Sequence, residues 1–518
     1  MRFFNTTGPV NPKDHYYVPH RLNEVELMQL IEQKKYFILH APRQSGKTTA
    51  IRIFVQQLNE IAKYKIFYIN IESAQVARNN VFDALRTILD RFKAGIIYYF
   101  GANDPAIKYL EQVINNPIIS GNALYDFLQF WSQNSDKRLI LFIDEIDSLV
   151  GDALISVLRQ LRDGFTTRPD FFPQSICLIG VRDVRDYRIW SESDNNMVLG
   201  GSAFNIKAES LTIANFSLDQ IRDLYTQHTQ ETGQKFTDEA IEYAFYLTQG
   251  QPWLTNALAY QACFVDVTDY NQPITKDVID RAKDVLILRR DTHVDQLVHK
   301  LKESRVRHII DAIIMGEDAP QEFPIDDIQY VIDLGLVSKY NQRLAIANPI
   351  YKEIIPRELS YSTQLTITQQ TSWYQNNDGS LNMYKLLEAF TQFYRENSDI
   401  WLEKFDYKES GPHLLLMAFL QRIINGGGKI HREYALGRRR VDLLIEFNQQ
   451  RIVIELKIKR GAKTIDEGLI QTAEYMDTNN ATEGHLVVFD RELDKAWNEK
   501  IFTQKHVVGK YDIIVWGM

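Results

Sequence analysis

Four short, almost uninterrupted runs of apolar residues mark the first part of the chain. They are YFILH (36–40), KIFYINI (65–71), LILFID (139–144) and SICLIGV (175–181). Such runs are typical of parallel strands that are buried on both faces. The segments between them, for example 48–61 and 84–92, have the spacing of amphipathic helices. The pattern therefore predicts an α/β domain with a parallel sheet up to about residue 210.

The pattern becomes helical after residue 215 and changes again near residue 336. Three helices are predicted in the first stretch: 217–227, 237–247 and 253–266. Gly250-Gln251-Pro252 separates the last two, as expected before a new helix. Two further helices, 305–315 and 325–334, precede two short strands within 336–348. Helix, helix and hairpin follow one another in the order of a winged helix.

A Thr-, Gln- and Asn-rich stretch, 361–380, is interpreted as a linker before a second α/β region. The elements predicted after it are helices at 381–397 and 413–424, a hairpin of 434–447 and 451–458, a helix at 469–476 and a strand at 485–489. Six segments result: an arm (1–21), a parallel-sheet core (22–212), a helical lid (213–295), a winged helix (296–360), the linker (361–380) and a C-terminal α/β domain (381–518).

The composition is that of a globular protein without extreme features. A net charge of −8 gives the whole chain no attraction for nucleic acid, so such a contact requires a local basic surface. Cys177 and Cys263 lie in apolar sequence and are predicted to be buried thiols. The sequence contains neither a signal peptide nor an apolar run long enough to cross a bilayer. We expect a cytoplasmic protein without membrane contact.

The first apolar run leads into APRQSGKTT (41–49), which precedes a helical segment. The stretch matches GxxxxGK[ST], except that Ala41 replaces the first Gly. Backbone N–H groups of such a loop surround phosphates, and the helix N-terminus adds its dipole. Lys47 would reach the β- and γ-phosphates, and the Thr48 hydroxyl would bind Mg²⁺. The candidate nucleotide ligands are Gln44, Ser45, Gly46, Lys47, Thr48 and Thr49.

Two other apolar runs also end in polar residues. The run 139–144 ends in Asp144, followed by Glu145. Asp144 is predicted to bind the Mg²⁺ water shell, and Glu145 is predicted to orient the attacking water. The run 175–181 is followed by Arg182, a candidate sensor of the nucleotide state. An ordinary surface arginine is the alternative for Arg182.

Together these residues resemble the AAA-like ATPases of the STAND and archaeal-ATPase group. The matching pieces are the 41–49 loop, IDEID at 143–147, the strand before Arg182, and the Gly-Gln-Pro break at 250–252. The resemblance implies a nucleotide-gated switch that binds ATP and Mg²⁺. It also implies that Pro252, in the helical lid, approaches the nucleotide and that a winged helix follows the lid.

A second group of charged residues lies in the last fifth of the chain. Asp442 lies in GRRRVDLLIEF, and Glu455 and Lys457 lie in VIELKI. Alternation along a strand places Glu455 and Lys457 on one face, and hairpin pairing can bring Asp442 beside them. Two carboxylates can bind Mg²⁺, which polarises a phosphodiester and activates water, while a lysine stabilises charge. A solvated edge strand is the alternative, but the strongly apolar neighbours argue against it.

This group resembles the PD-(D/E)xK nuclease superfamily. In RecB-like members of that superfamily a QxxxY element helps to orient the site, and Gln471 and Tyr475 match it. The superfamily usually offers a further acid on its first core helix; Glu409 is the first candidate here and Glu433 the weaker one. Basic residues that suit a phosphate backbone lie nearby: Lys429, Arg432, Lys459, Arg460 and Lys463.

The sequence thus predicts an ATP-binding switch that controls a metal-dependent nuclease. The metal is expected to be Mg²⁺, for which Mn²⁺ can substitute, and the substrate nucleic acid, DNA more than RNA. A second copy of the chain or a partner protein is expected at the winged helix. The layout suggests bacterial defence against phage or mobile elements. The alternative function is a regulatory or scaffold ATPase that binds nucleic acid or a partner protein without cleaving.

Overall fold

The computed structural model describes two compact units. The first comprises Met1–His293, Pro324–Ser338 and Ala347–Pro349, and the second comprises Val294–Phe323, Lys339–Ile346 and Ile350–Met518. The structure describes all residues except 62, 184–186, 192–195, 290–298, 315–322, 341–342, 356–373, 377, 405–414, 418, 421–427, 437–438, 460, 462, 491 and 493–494. The six-segment division made from the sequence stays a prediction.

The first unit contains a five-stranded parallel sheet. The strands of this unit are β1 (Phe3–Phe4), β2 (His15–Tyr16), β3 (Tyr36–His40), β4 (Lys65–Asn70), β5 (Leu139–Asp144), β6 (Ser175–Gly180), β7 (Arg188–Ser191), β8 (Asn196–Leu199) and β9 (Lys207–Thr212). The sheet order is β4-β5-β6-β3-β9, and all neighbours are parallel. This confirms the α/β class. The four apolar runs form β3 to β6. The edge strand β9 was not predicted, because its sequence, KAESLT, is mostly polar.

Helices cover both faces of this sheet. The helices up to residue 289 are α1 (Glu24–Glu32), α2 (Lys47–Ile61), α3 (Val81–Phe100), α4 (Pro105–Ile114), α5 (Ala123–Gln133), α6 (Gly151–Asp163), α7 (Gly200–Ala203), α8 (Leu218–Thr232), α9 (Asp238–Thr248), α10 (Pro252–Tyr260) and α11 (Lys276–Arg289), of which α1 to α7 contribute to the cores beside the sheet. Along β3, Tyr36 and Ile38 lie in one hydrophobic core with α3, α5 and α6, while Phe37 and Leu39 lie in another with α1 and α2. Burial on both faces explains the continuous apolar runs.

Local capping signals set the boundaries of the helices α8 to α10. Ser217 and Gln220 form a capping box at the start of α8, and Gly233 ends this helix in a left-handed conformation. Thr237 accepts a backbone hydrogen bond at the start of α9. The three predicted helices therefore begin within one residue of the predicted positions, whereas α8 continues five residues beyond the predicted 227 and α10 ends six residues before the predicted 266.

A backbone hydrogen bond joins the Gly-Gln-Pro break to Phe216, just before the start of α8. Phe216 N donates to Gly250 O at 2.8 Å, and Gly250 has a φ of +72°. A side chain at Gly250 would collide with the Phe216 carbonyl oxygen. Gln251 caps α10, and Pro252 is the first residue of that helix. Only glycine fits this junction, because both the φ angle and the close approach exclude a Cβ.

The region predicted as a winged helix contains α12 (Ser304–Ile314), α13 (Ile325–Asp333), β10 (Val337–Tyr340) and β11 (Arg343–Ile346). The two strands pair with each other, so the predicted order of helix, helix and hairpin is present. The helix α13 belongs to the first unit, whereas α12 and β11 belong to the second.

A six-stranded mixed sheet forms the centre of the second unit. Its elements are α14 (Met383–Lys404), β12 (Lys429–Leu436), β13 (Arg439–Phe447), β14 (Gln450–Ile458), α15 (Thr464–Thr478), β15 (Glu483–Phe489), α16 (Trp497–Lys500), β16 (Phe502–Val508) and β17 (Tyr511–Gly517). The sheet order is β12-β13-β14-β15-β17-β16. The β14/β15 and β15/β17 pairs are parallel, and the others are antiparallel. Leu444 and Val453 pack on the α15 side, and Leu443 and Ile454 pack on the α14 side.

Some predictions for this unit need correction. The segment 434–447 is not one strand, because its first residues end β12 and the rest form β13. The strands β16 and β17 were not predicted. Most of the predicted linker lies outside the described residues, as does much of the helix 413–424, of which 415–417 and 419–420 are helical. Cys177 and Cys263 are buried free thiols, as predicted.

None of the helices in the described ranges is both long and apolar enough to cross a membrane.

The Gly250 junction yields a stability test. We expect Gly250→Ala to destabilise the first unit by about 1–2 kcal/mol from the positive φ, and by about 1–3 kcal/mol more from the collision with Phe216. Gly233→Ala is the matched control, because Gly233 has a φ of +84° and an added Cβ would meet nothing within 4 Å. Thermal unfolding monitored by calorimetry would compare them. Equal destabilisation by the two substitutions would contradict the close approach.

Candidate functional site

The loop 41–46 joins β3 to α2 and is shaped by backbone conformations with positive φ. Gln44 has a φ of +58° and Gly46 a φ of +86°. Ala41 N donates to Gly180 O at 3.3 Å, which ties the start of the loop to β6. Lys47 is 6% exposed, and its Nζ donates to the carbonyl oxygens of Ala41 (2.7 Å) and Pro42 (2.9 Å). Burial lowers the pKa of Lys47, while nearby carboxylates, Glu145 first among them, oppose that shift.

Thr48 and Asp144 meet beside this loop. Thr48 Oγ1 donates to Asp144 Oδ2 at 2.8 Å, and Glu145 N donates to Asp144 Oδ1 at 2.9 Å. Asp144, the last residue of β5, is fully buried. Hydroxyl and carboxylate oxygens are the ligands that Mg²⁺ prefers. The residues that the sequence predicted for Mg²⁺ therefore lie together, and their chemistry fits that ion.

Glu145 lies in a left-handed conformation with a φ of +59° at the end of β5. Burial raises the pKa of Glu145 to about 7, and the neighbouring carboxylates Asp147 and Asp144 add to this shift. Asp147 Oδ1 accepts a hydrogen bond from Val181 N at 3.1 Å, so it joins the ends of β5 and β6. A side chain at Gly180 would collide with this carboxylate, which accounts for the glycine at that position.

Arg182 lies two residues after the end of β6 and faces the end of α13. Its Nε lies 3.8 Å from Asp333 Oδ2, and its guanidinium group lies 4.6 Å from the centre of the Tyr330 ring. An added Cβ on Gly335 would lie 2.8 Å from Pro42 Cβ, so this segment also borders the loop 41–46. Arg182, the predicted sensor, therefore contacts residues that lie about 150 positions further along the sequence.

Arg21, at the end of the arm, joins the phosphate-binding loop to the start of the lid. Its guanidinium group donates to the carbonyl oxygens of Ser45 and Ala214, and lies 4.7 Å from the centre of the Phe216 ring. Burial lowers the pKa of Arg21 to about 10. An added Cβ on Gly46 would lie 2.6 Å from this guanidinium group, so Gly46 leaves space for it.

The remaining predicted nucleotide ligands have structural contacts of their own. Gln251 Nε2 lies 3.5 Å from Gln44 O, which places the Gly-Gln-Pro break next to the loop, and Pro252 is buried. Thr49 Oγ1 accepts a hydrogen bond from Val10 N at 3.1 Å. Thr49 thus fastens the N-terminal arm to α2, a role that the sequence did not suggest.

The second group of charged residues is also brought together. The register of β13 and β14 pairs Leu443 with Ile454, the residues next to Asp442 and Glu455. Leu456 N donates to Asp442 Oδ2 at 2.8 Å, and Lys457 Nζ lies 2.8 Å from Glu455 Oε1.

The burial of the Glu455 carboxylate is the most unusual feature of this group. Glu455 is 3% exposed, and its Oε2 is buried without a hydrogen-bond partner among the residues that the structure describes. Burial raises the pKa of Glu455, Asp442 raises it further, and Lys457 opposes the shift. A buried carboxylate oxygen without a donor is costly, and a cation beside it would remove that cost. Asp442 and Glu455 therefore fit a metal ion, although no group of three or more metal-ligand side chains occurs in the described part of the chain.

Gln471 and Tyr475 lie one turn apart on α15, which packs on β14 and β15. Alternation places Asp442, Glu455 and Lys457 on the sheet face that α15 covers, because Leu444 and Val453 point to that face. Gln471 Oε1 is buried and has no hydrogen-bond partner within the described ranges.

Of the two candidates for a further acid, only Glu433 has a described backbone. Glu409 lies outside the described residues. Glu433 lies in β12, where the pairs Arg432–Leu443 and Tyr434–Val441 set its backbone opposite Asp442. Glu433 and Asp442 are thus backbone neighbours across β12 and β13.

A pair of lysines lies at the carboxyl ends of β14 and β15. Lys459 Nζ and Lys495 Nζ approach Asp490 Oδ2 at 2.9 Å and 2.7 Å. Lys459 and Lys495 are 31% and 21% exposed, whereas Asp490 is 6% exposed. One carboxylate thus holds two ammonium groups, which leaves a local positive charge. Lys463 is exposed; Arg460 lies outside the described residues, and the side chains of Lys429 and Arg432 are not described.

Comparison with known families assigns the larger part of the chain. A family model described as an AAA-like domain matches residues 5–356, which is more than half of the sequence. The chain belongs to this AAA-like family. A second model, described as a domain of unknown function (DUF8371), matches residues 383–492. No curated protein sequence matches the chain.

Several solved structures resemble the AAA-like part at low sequence identity. A Walker-type ATPase of Pyrococcus abyssi is 15% identical, with 68% of this chain and 99% of that chain covered and a TM-score of 0.47. Cdc6p of Pyrobaculum aerophilum is 13% identical, with coverages of 68% and 97% and a TM-score of 0.34. The RuvB Holliday junction branch migration motor of Thermotoga maritima is 13% identical, with coverages of 64% and 91% and a TM-score of 0.33. All three scores are below 0.5, so the assignment depends on the family model.

Four residues of the AAA-like site were not identified from the sequence as site residues. They are Arg21, Asp147, Asp333 and Tyr68, whose hydroxyl donates to Asp144 Oδ2. Asp147 lies within the IDEID motif, so the motif could have drawn attention to it. The other three come from the arm, an edge strand and a distant helix, and only the fold brings them to the loop.

The contact between Arg182 and Asp333 yields a test of the AAA-like site. We expect Arg182→Gln and Asp333→Asn to show a coupling free energy of about 1–3 kcal/mol in a double-mutant cycle, because the two charged side chains face each other in a mostly buried position. Urea unfolding would measure it. Asp327→Asn on the same helix is the control and should combine with Arg182→Gln additively, within about 0.5 kcal/mol. Additivity of the Arg182 and Asp333 substitutions would contradict their interaction.

Proposed function

We propose that the AAA-like domain binds and hydrolyses ATP with Mg²⁺, and that its nucleotide state controls a metal-dependent phosphodiesterase site in the second unit. The observation that carries the nuclease part is the buried pair of Asp442 and Glu455, with Lys457 beside it and an unpartnered Glu455 oxygen. The proposed substrate is nucleic acid, DNA rather than RNA. A role in defence against phage or mobile elements stays a prediction.

The proposed ATPase chemistry follows from the positions of four side chains. Lys47 Nζ lies at the loop and would bind the phosphates, while Thr48 and Asp144 would hold Mg²⁺. Glu145 lies next to Asp144, and the pKa of its carboxyl, raised by burial to about 7, suits a group that accepts a proton from water. Bound Mg²⁺ would stabilise the charge that develops on the phosphates.

The proposed nuclease chemistry also depends on carboxylates, a metal ion and a lysine, in a different fold. Asp442 and Glu455 would hold the metal ion, which would polarise the phosphodiester and favour an attacking hydroxide. Lys457 would stabilise the negative charge that develops on the phosphate. Gln471 and Tyr475 stay candidates for orienting the site from α15.

Glu409 is the first candidate for the further acid, and Glu433 is the second. The register places the backbone of Glu433 opposite Asp442, which supports Glu433. Glu409 lies outside the described residues.

Nucleic-acid binding is supported by the position of Lys459 and Lys495. Lys459 follows Lys457 by two residues, directly after the end of β14, so about 6.6 Å separates their Cα atoms. The positive charge beside Asp490 thus lies near Lys457. It would contact a phosphate next to the scissile one, in a chain whose overall charge is negative.

A regulatory or scaffold ATPase is the second candidate function. The observation that favours it is that the described residues contain no group of three or more side chains able to hold a metal. In this case the second unit would bind nucleic acid or a partner protein without cleaving it. A second copy of the chain or a partner protein at the winged-helix region is compatible with both functions.

The ATPase proposal predicts that Glu145→Gln separates binding from hydrolysis. We expect ATP hydrolysis to fall by about 10²–10⁴-fold, because the general base is lost, while binding of a fluorescent ATP analogue is retained. Lys47→Ala is the comparison and should lose binding itself. Hydrolysis at the wild-type rate by Glu145→Gln would contradict the role of Glu145.

The nuclease proposal predicts that Asp442→Asn and Glu455→Gln each abolish cleavage. We expect at least about a 100-fold loss on plasmid, linear DNA and RNA with Mg²⁺ or Mn²⁺, because loss of a metal ligand should cost more than the roughly 10–100-fold typical of a residue that only supports one. Glu446→Gln is the matched control on β13, because Glu446 pairs with Arg451 instead. Glu433→Gln and Glu409→Gln would choose between the two further acids.

Parallel assays with and without ATP would show whether the nucleotide controls the reaction. Lys47→Ala should remove any effect of ATP on cleavage and leave the metal requirement unchanged. If the wild-type protein cleaves none of the substrates, and Asp442→Asn still binds them equally well, the scaffold function replaces the nuclease.

A further inference from the structure

Tyr68 lies near the end of β4, next to β5, and its hydroxyl reaches the nucleotide site. The register pairs Asn70 with Asp144, and Tyr68 OH donates to Asp144 Oδ2 at 2.6 Å. Tyr68 is 9% exposed, so water has little access to this hydrogen bond. Neither the loop 41–49 nor the Asp144-Glu145 pair contains a signal for this residue.

The hydrogen bonds of Asp144 show why this hydroxyl matters. Oδ1 accepts from Glu145 N at 2.9 Å, and Oδ2 accepts from both Thr48 Oγ1 at 2.8 Å and Tyr68 OH at 2.6 Å. Thr48 is itself a candidate Mg²⁺ ligand, and the Glu145 bond comes from the adjacent backbone. Tyr68 supplies a donor from a separate strand, and this donor can fix the carboxylate independently of the metal.

Packing alone would be satisfied by phenylalanine at this position. Side chains alternate along β4, so that Phe67 lies in the core beneath α3 and Tyr68 lies in the core beneath α2. The Tyr68 ring fills the second core, which also contains Phe54 and Phe142. The hydroxyl adds nothing to this apolar packing, but it forms a short bond to a fully buried carboxylate.

We propose that Tyr68 is a positioning residue for nucleotide-bound Mg²⁺, which it serves by holding the Asp144 carboxylate in the orientation that the ion requires. The inference depends on the proposed Mg²⁺ site at Thr48 and Asp144. Residues that hydrogen-bond to metal ligands typically change metal affinity by about 10–100-fold when they are substituted. Removal of the hydroxyl leaves Oδ2 with Thr48 as its remaining donor among these contacts, and the carboxylate can then rotate.

The test is Tyr68→Phe in the full-length chain, with nucleotide binding as the readout. A fluorescent ATP analogue would be titrated in EDTA and then at increasing Mg²⁺ concentrations. We expect the affinity in EDTA to stay within about twofold of wild type, because the phosphate ligands are unchanged. The Mg²⁺ concentration for half-maximal enhancement of binding should rise by about 10–100-fold.

Tyr36→Phe is the matched control. Tyr36 is a fully buried tyrosine in the same sheet, and its hydroxyl donates to Pro173 O at 3.1 Å instead of to Asp144. Both substitutions remove one buried hydrogen bond, so both should lower the melting temperature. Only Tyr68→Phe should change the Mg²⁺ dependence.

Three outcomes contradict part or all of this inference. An unchanged Mg²⁺ dependence in folded Tyr68→Phe protein overturns the role of Tyr68 and leaves the Mg²⁺ site intact. An equal change in Tyr36→Phe shows general loosening of the sheet and also overturns it. Wild-type nucleotide binding that ignores Mg²⁺ overturns the metal site itself, and with it the inference.

Discussion

The burial of the Asp144 carboxylate is the constraint on which the AAA-like site depends. A charged group with no solvent exposure is tolerated only when hydrogen bonds or a cation replace the lost water. The structure places three donors around it: Thr48 from α2, Tyr68 from β4 and the backbone of Glu145. The phosphate-binding helix, the edge strand and the central strand are thereby held in one arrangement. The same arrangement gathers oxygen atoms of the kind that Mg²⁺ prefers as ligands.

Contacts around this centre join distant parts of the chain to the phosphate-binding loop. Arg21 links the loop to the start of the lid, and Gly250 allows the lid break to reach Phe216. Arg182 faces Asp333 at the end of α13. The loop therefore has contacts, direct or through one residue, with the arm, the lid and α13.

The second unit contains a buried carboxylate with a different set of partners. Glu455 pairs with Lys457 through one oxygen, while its other oxygen has no hydrogen-bond partner in the described part of the chain. Asp144 is thus satisfied by donors that the fold supplies, whereas one Glu455 oxygen has no donor among the described residues. This contrast supports the proposed metal site at Glu455, in a region that matches a domain of unknown function.

The sequence by itself determined the helices and strands whose surroundings stay the same along their whole length. Strands buried on both faces are continuous apolar runs, helices begin at capping residues, and the loop 41–49 must follow a strand and precede a helix. It also determined that Glu455 and Lys457 share a face, because alternation is local. Only the tertiary structure decided which distant residues meet: Tyr68 with Asp144, Asp333 with Arg182, and Glu433 in register with Asp442. The polar edge strand β9 and the pairing of β12 likewise depended on neighbours far along the chain, whose positions no local pattern encodes.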